Sequence, residues 1–113
     1  MTRRFTKRLE LQVAERNADG AGGFRRTWET RGALWAEVRM RSGALRHTEF
    51  GRTPRLQLRI TTHELPEGHR MRPQPGDRLM DRARAFEVEA VHDGDCRVLV
   101  ILAAELPGAE VGR

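Results

Sequence analysis

Apolar and polar residues alternate in several short stretches of the chain, and a period of two is typical of a strand with one buried face. In the first stretch, residues 5–16, Leu9, Leu11 and Val13 lie on one side of the predicted strand. Gly32 lies between the second stretch, 24–28, and the third, 33–41. Together with further short β-prone stretches, the predicted strands span residues 5–16, 24–28, 33–41, 55–62, 77–81, 85–91 and 97–104. The pattern predicts about six short strands and no long helix.

The segments between these stretches carry turn and loop residues. Residues 17–23 are rich in Asn, Asp and Gly, which tolerate positive φ, and Asp93-Gly94-Asp95 is typical of a tight hairpin. Three prolines make residues 63–76 a loop. Residues 42–53 have no periodicity, which predicts a long loop or a short helix around residues 44–50.

The composition favours a thin core. The chain has 113 residues, of which 38% are hydrophobic and 33% are charged, and this suits a two-layered β structure with one solvated face. We therefore expect one all-β domain over residues 1–113, a small barrel or sandwich with a frayed tail from about residue 105. Residues 98–102 are apolar on both faces, which predicts a central strand. The expected core anchors are Trp28, Trp35, Leu58, Phe86 and Val100.

The net charge and the single cysteine indicate the compartment and the kind of partner that suit the protein. The formal net charge is +5, and Lys7 is the only lysine among the 21 basic residues. Such a balance is typical of DNA contact or of a GC-rich genome, and the 16 acidic residues are interspersed with the arginines. Cys96 has no intrachain partner, and the amino terminus has no apolar signal core. We expect a product of a reducing cytoplasm without a membrane partner.

No pattern of residues indicates catalysis, a metal or a cofactor. Ser42 is the only serine, and neither it nor Cys96 has the surroundings of an activated nucleophile. Metal sites need ligands at close, regular spacing, and the histidines are scattered at His47, His63, His69 and His92. The sequence predicts a protein that is not an enzyme, with no catalytic residues.

One stretch interleaves aromatic and basic residues, namely Phe24-Arg25-Arg26-Thr27-Trp28. Single-stranded nucleic acids bind to such platforms by stacking of bases on the rings and by contacts of phosphates with the cations. A small barrel that binds single-stranded nucleic acid is therefore the alternative interpretation.

An ordered set of motifs runs from about Leu9 to Glu105. After the first strand it comprises Asp19-Gly20-Ala21-Gly22-Gly23-Phe24, Trp28, Leu34-Trp35-Ala36-Glu37-Val38, Ser42-Gly43, the strand from Leu56 to Ile60, Gly76-Asp77-Arg78 and Phe86-Glu87-Val88. This set resembles the head–tail joining family of long-tailed phages, also called head-closure or stopper proteins, which includes relatives in gene transfer agents. Arg39-Met40-Arg41 stands where that family commonly has an acidic or proline-containing turn.

The resemblance implies a structural connector in the neck of a phage or phage-like particle. Subunits of this family form a ring, here of six or twelve copies, beneath the portal and its adaptor protein. A tail terminator or tail tube protein docks on the other side, and the ring helps to retain the packaged DNA. The role of a tail terminator is a further alternative.

The resemblance also implies that the segment 42–53 projects from one end of the barrel. We expect it to contact a neighbouring subunit or the portal side through Leu45, Arg46, His47, Phe50 and Arg52. Arg46, Arg52 and Arg55 are candidates for transient contact with double-stranded DNA in the channel. The alternative is that these arginines pair with acidic residues of adjacent subunits or remain solvated.

Overall fold

Six antiparallel strands form the fold in this computed structural model. It describes residues 4–46 and 55–107, without the side chains of Arg25 and of residues 42–46. The strands are β1 (Lys7–Ala18), β2 (Phe24–Arg46), β3 (Arg55–His63), β4 (Arg78–Asp81), β5 (Arg84–Gly94) and β6 (Val98–Glu105). They pair in the order β1-β2-β3-β6-β5-β4, and pairing of β4 with β1 closes the barrel. The predicted all-β fold is confirmed, and the described residues contain no helix suited to crossing a membrane.

β2 is one strand where the sequence predicts two. The stretches 24–28 and 33–41 lie in the same strand, because Gly32 forms part of a β-bulge and does not end the strand. Leu11 pairs with Gly32 and Gln12 with Thr30, so β2 has one extra residue at this point. The φ of Gly32 is +148°, which favours glycine.

The segment that loses its periodicity begins as strand. Residues 42–46 continue β2, and the pairing with β3 shifts between Met40, opposite Leu58, and Leu45, opposite Leu56. The predicted loop or helix is therefore wrong for residues 42–46, since a bulge with extra residues breaks the period of two without ending the strand. Residues 47–54 of the predicted excursion lie outside the described residues.

The β1–β2 hairpin therefore continues beyond the barrel wall, and the described part of the β2–β3 hairpin lies at the opposite end. β1 last contacts β4 at Gln12, yet it remains paired with β2 as far as Ala18, opposite Phe24. At the other end β2 and β3 stay paired to Arg46, opposite Arg55. The radius of gyration is 15.0 Å, above the roughly 13 Å expected for a compact domain of this length.

The core fills the inside of the barrel and draws on all six strands. Its fully buried members include Leu9, Ile60 and Phe86. β6 lies between β3 and β5 and is buried along most of its length, as predicted for a central strand. The cluster consists of Leu9, Leu11, Leu34, Ala36, Leu58, Ile60, Leu79, Phe86, Val88, Leu99, Ile101 and Ala103.

The five expected core anchors have different environments. Leu58 and Phe86 lie in the core cluster, and Val100 is buried on the other side of β6. The prediction for Trp35 is wrong: its neighbours Leu34 and Ala36 face inward, so Trp35 faces outward and is 54% exposed. Trp28 is half-buried on the β1–β2 hairpin, outside the core cluster.

The turn between β5 and β6 and the end of β6 differ from the prediction. The hairpin between the strands is present, but its turn is formed by residues 95–97, since β5 continues to Gly94. Cys96 lies exposed in this turn. Glu105, where a frayed tail was expected to begin, ends β6 and accepts two hydrogen bonds from Arg84 at 2.8 and 2.9 Å. Residues 108–113 lie outside the described residues.

Asp77 anchors the long loop between β3 and β4. Its carboxylate accepts a hydrogen bond from the backbone N–H of Gln74 at 2.8 Å, and its own backbone bonds to Val88. Burial raises the pKa of this carboxyl, against a smaller lowering by the Gln74 N–H. Because the folded-state pKa is raised, ionisation of Asp77 opposes folding as the pH rises through that pKa.

We expect Asp77→Asn to stabilise the protein at pH 7 and to change its stability little near pH 3. The amide oxygen can still accept the Gln74 N–H, while the cost of burying a charge disappears. Urea unfolding at both pH values measures this difference. A larger loss of stability at pH 7 than at pH 3 would show that the charged carboxylate favours the fold.

Candidate interaction surfaces

The surface predicted from the segment 42–53 is only partly within the described residues. Leu45 and Arg46 lie at the end of β2, and their backbones pair with Leu56 and Arg55. His47, Phe50 and Arg52 lie outside the described residues. The structure therefore locates the base of this hairpin, at the end of the barrel where β6 finishes and β5 begins.

Arg55 is paired with a carboxylate of its own chain. Its Nη1 lies 3.2 Å from Oε1 of Glu87, and both side chains are about one-third exposed. On the same outer surface Arg41 donates to Oε1 of Gln57 at 2.9 Å and lies 3.9 Å from Glu89. β5 thus supplies a glutamate to each arginine, which leaves Arg55 a weaker candidate for contact with DNA than its position suggests.

A groove with an exposed indole runs along the outside of β1 and β4. It has a volume of about 740 Å³ and is lined by Trp35, Met80 and the turn between β4 and β5. Ion pairs border it, Lys7 with Asp81 at 3.6 Å and Arg84 with Glu105 at 2.8 Å. Exposed Trp with a charged rim is typical of protein–protein contacts. The alternation of Trp35 with two inward residues was the sequence signal for this exposure.

The β1–β2 hairpin has one face that combines arginine with aromatic residues. Arg16 lies directly opposite Arg26, and the neighbouring pairs on the same face are Ala18 with Phe24 and Ala14 with Trp28. β4 adds a further cation, since Gln12 of the hairpin pairs with Arg78. We call Arg16, Phe24, Arg26, Trp28 and Arg78 the cationic face.

Each ring of the cationic face is in contact with guanidinium groups of the same chain. The guanidinium carbons of Arg26 and Arg78 lie 4.6 and 4.1 Å from the centre of Trp28, and that of Arg16 lies 4.5 Å from Phe24. Arg78 is 7% exposed and donates from Nε to Oε1 of Gln12 at 2.6 Å. Burial, and to a smaller extent Arg26, lowers the pKa of Arg78.

The opposite face of the hairpin carries carboxylates. A hydrogen bond with Glu29 raises the pKa of Glu15, while the same bond lowers the pKa of Glu29. Arg31 lies 3.4 Å from Glu29, and Asn17 donates to Thr27 at 2.8 Å. The two faces of one projecting hairpin therefore differ in charge and in chemistry.

The described residues contain no group of three or more His, Cys, Asp or Glu side chains that could hold a metal. His92 contacts the backbone oxygen of Asp93 at 3.1 Å. Cys96, four residues after His92, lies in the exposed turn. What the molecule offers is a set of outer surfaces: a groove, two hairpins and a cationic face. Exposed aromatic and cationic surfaces of this kind are typical of contact with proteins or polyanions.

Comparison with known proteins finds one family and two solved structures that this chain resembles. The profile of a family described as phage head completion protein matches residues 1–106. A chain in the virion of a native gene transfer agent particle is 36% identical, with a TM-score of 0.78, over 93% of this chain and 98% of that chain. A Shigella flexneri 2a protein solved in solution is 23% identical, with a TM-score of 0.66, over 95% and 96%. No curated protein matches this chain.

Proposed function

We propose that this chain, which belongs to the phage head completion protein family, joins head to tail as one subunit of a homo-oligomeric ring. The structural role between head and tail follows from the family and from the likeness to a protein of a gene transfer agent virion. The ring, its copy number and the absence of a catalytic activity are our proposals. The observation that supports a ring is a closed barrel with different surfaces at its two ends.

A ring subunit needs two unlike surfaces, because head-to-tail contacts join one patch to a different patch on the next copy. The barrel provides them. At one end the β2–β3 hairpin extends beside the groove of Trp35, and at the other the β1–β2 hairpin presents its cationic face. A specific contact buries roughly 1,000 Å² or more, and a barrel with long hairpins can present that area on each side.

The partners proposed for the two sides of the ring are those of a particle neck. We place a portal or adaptor protein above it and a tail terminator or tail tube protein below it, with six or twelve copies in the ring. The protein would then be made in the bacterial cytoplasm and end in the neck of a phage, prophage or gene transfer agent particle. Leu45, Arg46, His47, Phe50 and Arg52 remain our candidates for contact with the neighbour or the portal.

Complementation in extracts tests this function. Particles made without this protein should accumulate as heads and separate tails, and added wild-type protein should join them into tailed particles. We expect the deletion of residues 44–52 to abolish joining while the barrel stays folded, because the core cluster lies outside that segment. Electron microscopy counts the tailed particles, and circular dichroism with thermal melting checks the fold.

The wild-type protein and the deletion variant test two different claims. If the wild-type protein does not restore tails, the connector function is wrong. If the folded deletion variant joins heads to tails as well as the wild type does, the function holds and the assignment of contacts to the segment 44–52 is wrong.

A further inference from the structure

We propose that the cationic face of the β1–β2 hairpin binds the phosphate backbone of double-stranded DNA that passes through the head–tail joint. The inference rests on the proposed connector function and assigns DNA contact to Arg16 and Arg26, with Arg78 behind them. It moves that contact from the β2–β3 hairpin to the opposite end of the barrel.

The first argument is the arrangement of charge. Arg16 and Arg26 stand directly opposite each other on adjacent strands, and like charges in that position destabilise a hairpin. Neither forms an ion pair with a described residue. Alternation also leaves this face without a carboxylate from Gln12 to Ala18 and from Phe24 to Thr30. An anion bound between the two arginines would relieve their repulsion.

The second argument concerns the geometry of the guanidinium groups. A guanidinium that lies on an aromatic ring is held in place, and its N–H edges remain available for oxygen acceptors. Arg26 and Arg16 are exposed and rest on Trp28 and Phe24 in this way. Arg26 also donates from Nη2 to the carbonyl oxygen of Gly76 at 3.5 Å, a long hydrogen bond that occupies one N–H and leaves the other donors of that group available. Such pre-oriented groups suit the paired oxygens of a phosphate.

The third argument favours duplex over single-stranded DNA. Base stacking requires free ring faces, whereas Trp28, the larger ring of this face, already has two guanidinium groups against it, and Phe24 has one. Duplex DNA keeps its bases inside and presents roughly one charge every 1.7 Å along its axis. Contact with that backbone is independent of sequence, as a joint that passes a whole genome requires.

Charge-matched variants of the full-length protein test the proposal. We expect Arg16→Gln combined with Arg26→Gln to weaken binding of a short fluorescent duplex about tenfold at about 50 mM salt. The slope of log K against log salt should fall by about 2, since each phosphate contact contributes roughly 0.9. The matched control is Arg39→Gln with Arg59→Gln, two exposed arginines directly opposite each other on β2 and β3. This pair differs from the hairpin pair in having a carboxylate beside it, since Glu37 lies 3.2 Å from Arg39. Fluorescence anisotropy measures both.

A selective loss in the hairpin variant supports the proposal. Equal losses in the two double variants, or a wild-type protein that does not bind the duplex, would overturn it. Tighter binding of a single strand than of the duplex would also overturn it. Complementation in extracts separates this inference from the proposed function. If the hairpin variant binds duplex DNA normally but no longer joins heads to tails, the DNA proposal is wrong and the cationic face contacts a protein partner instead.

Discussion

Phe86→Ala is expected to lower the free energy of unfolding by about 3–5 kcal/mol, the largest effect of any single substitution considered. Phe86 is 1% exposed and sits on β5 beside Leu79 of β4, in the core cluster. A small barrel has no second layer that can collapse into the space left by the ring. Since domains of this size are stable by roughly 5–15 kcal/mol, a large part of the stability would be lost. Urea unfolding followed by circular dichroism measures the change.

Phe24→Ala is the matched control, because it removes the same side chain from an exposed position. Phe24 is 62% exposed and contacts the guanidinium of Arg16. We expect this substitution to cost less than about 1 kcal/mol. Similar costs for the two variants would mean that the barrel interior is not the main source of stability.

The strands were predictable because burial inside a barrel leaves a period of two in the sequence. Leu9 and Leu11 on β1, and Leu58 and Ile60 on β3, alternate with outward residues and are all buried. The bulges were not predictable. At Gly32 and after Met40 extra residues break the period, and whether a strand then ends or continues depends on the partner strand that it meets.

The contacts at the candidate surfaces depend on strand order and register, which one sequence does not specify. Arg55 meets Glu87 because β6 lies between β3 and β5, so strands distant in the chain approach each other. Arg16 meets Arg26 because the turn at residues 19–23 sets the hairpin register. The sequence predicts that turn from its glycines, but it does not predict which residues lie opposite one another.

Trp35 illustrates two rules that disagree. Its size favoured the core, since large aromatic residues bury much surface, whereas its alternation with Leu34 and Ala36 favoured the outside. The structure follows the alternation. An indole on the outer wall of a protein that works by contact is better explained by an interface than by packing. The groove beside it is therefore a surface to examine when the partners of this protein are located.

The barrel is closed at a short seam, and this seam adjoins the cationic face. β1 and β4 pair only between Glu10–Gln12 and Arg78–Met80. Across the seam, Arg78 of β4 donates to Gln12 of β1 and lies against Trp28 of β2. One side chain of a four-residue strand thus connects three strands. We infer that Arg78 holds the barrel closed and sets the position of Trp28 for Arg26.

Arg78→Ala is therefore expected to cost about 2–4 kcal/mol, from the loss of a hydrogen bond to a charged group and of a desolvated cation–π contact. The matched control is Arg26→Ala, which removes an exposed guanidinium from the same indole and should cost less than about 1 kcal/mol. Urea unfolding measures both costs. Amide hydrogen exchange adds a local readout, because opening of the seam should expose the backbone of Leu11 and Gln12 in the Arg78 variant first. The inference is wrong if the two variants lose equal stability and amide exchange at the seam is unchanged. Arg78 would then contribute no more than its exposed neighbour Arg26, and β1 and β4 would stay paired without it.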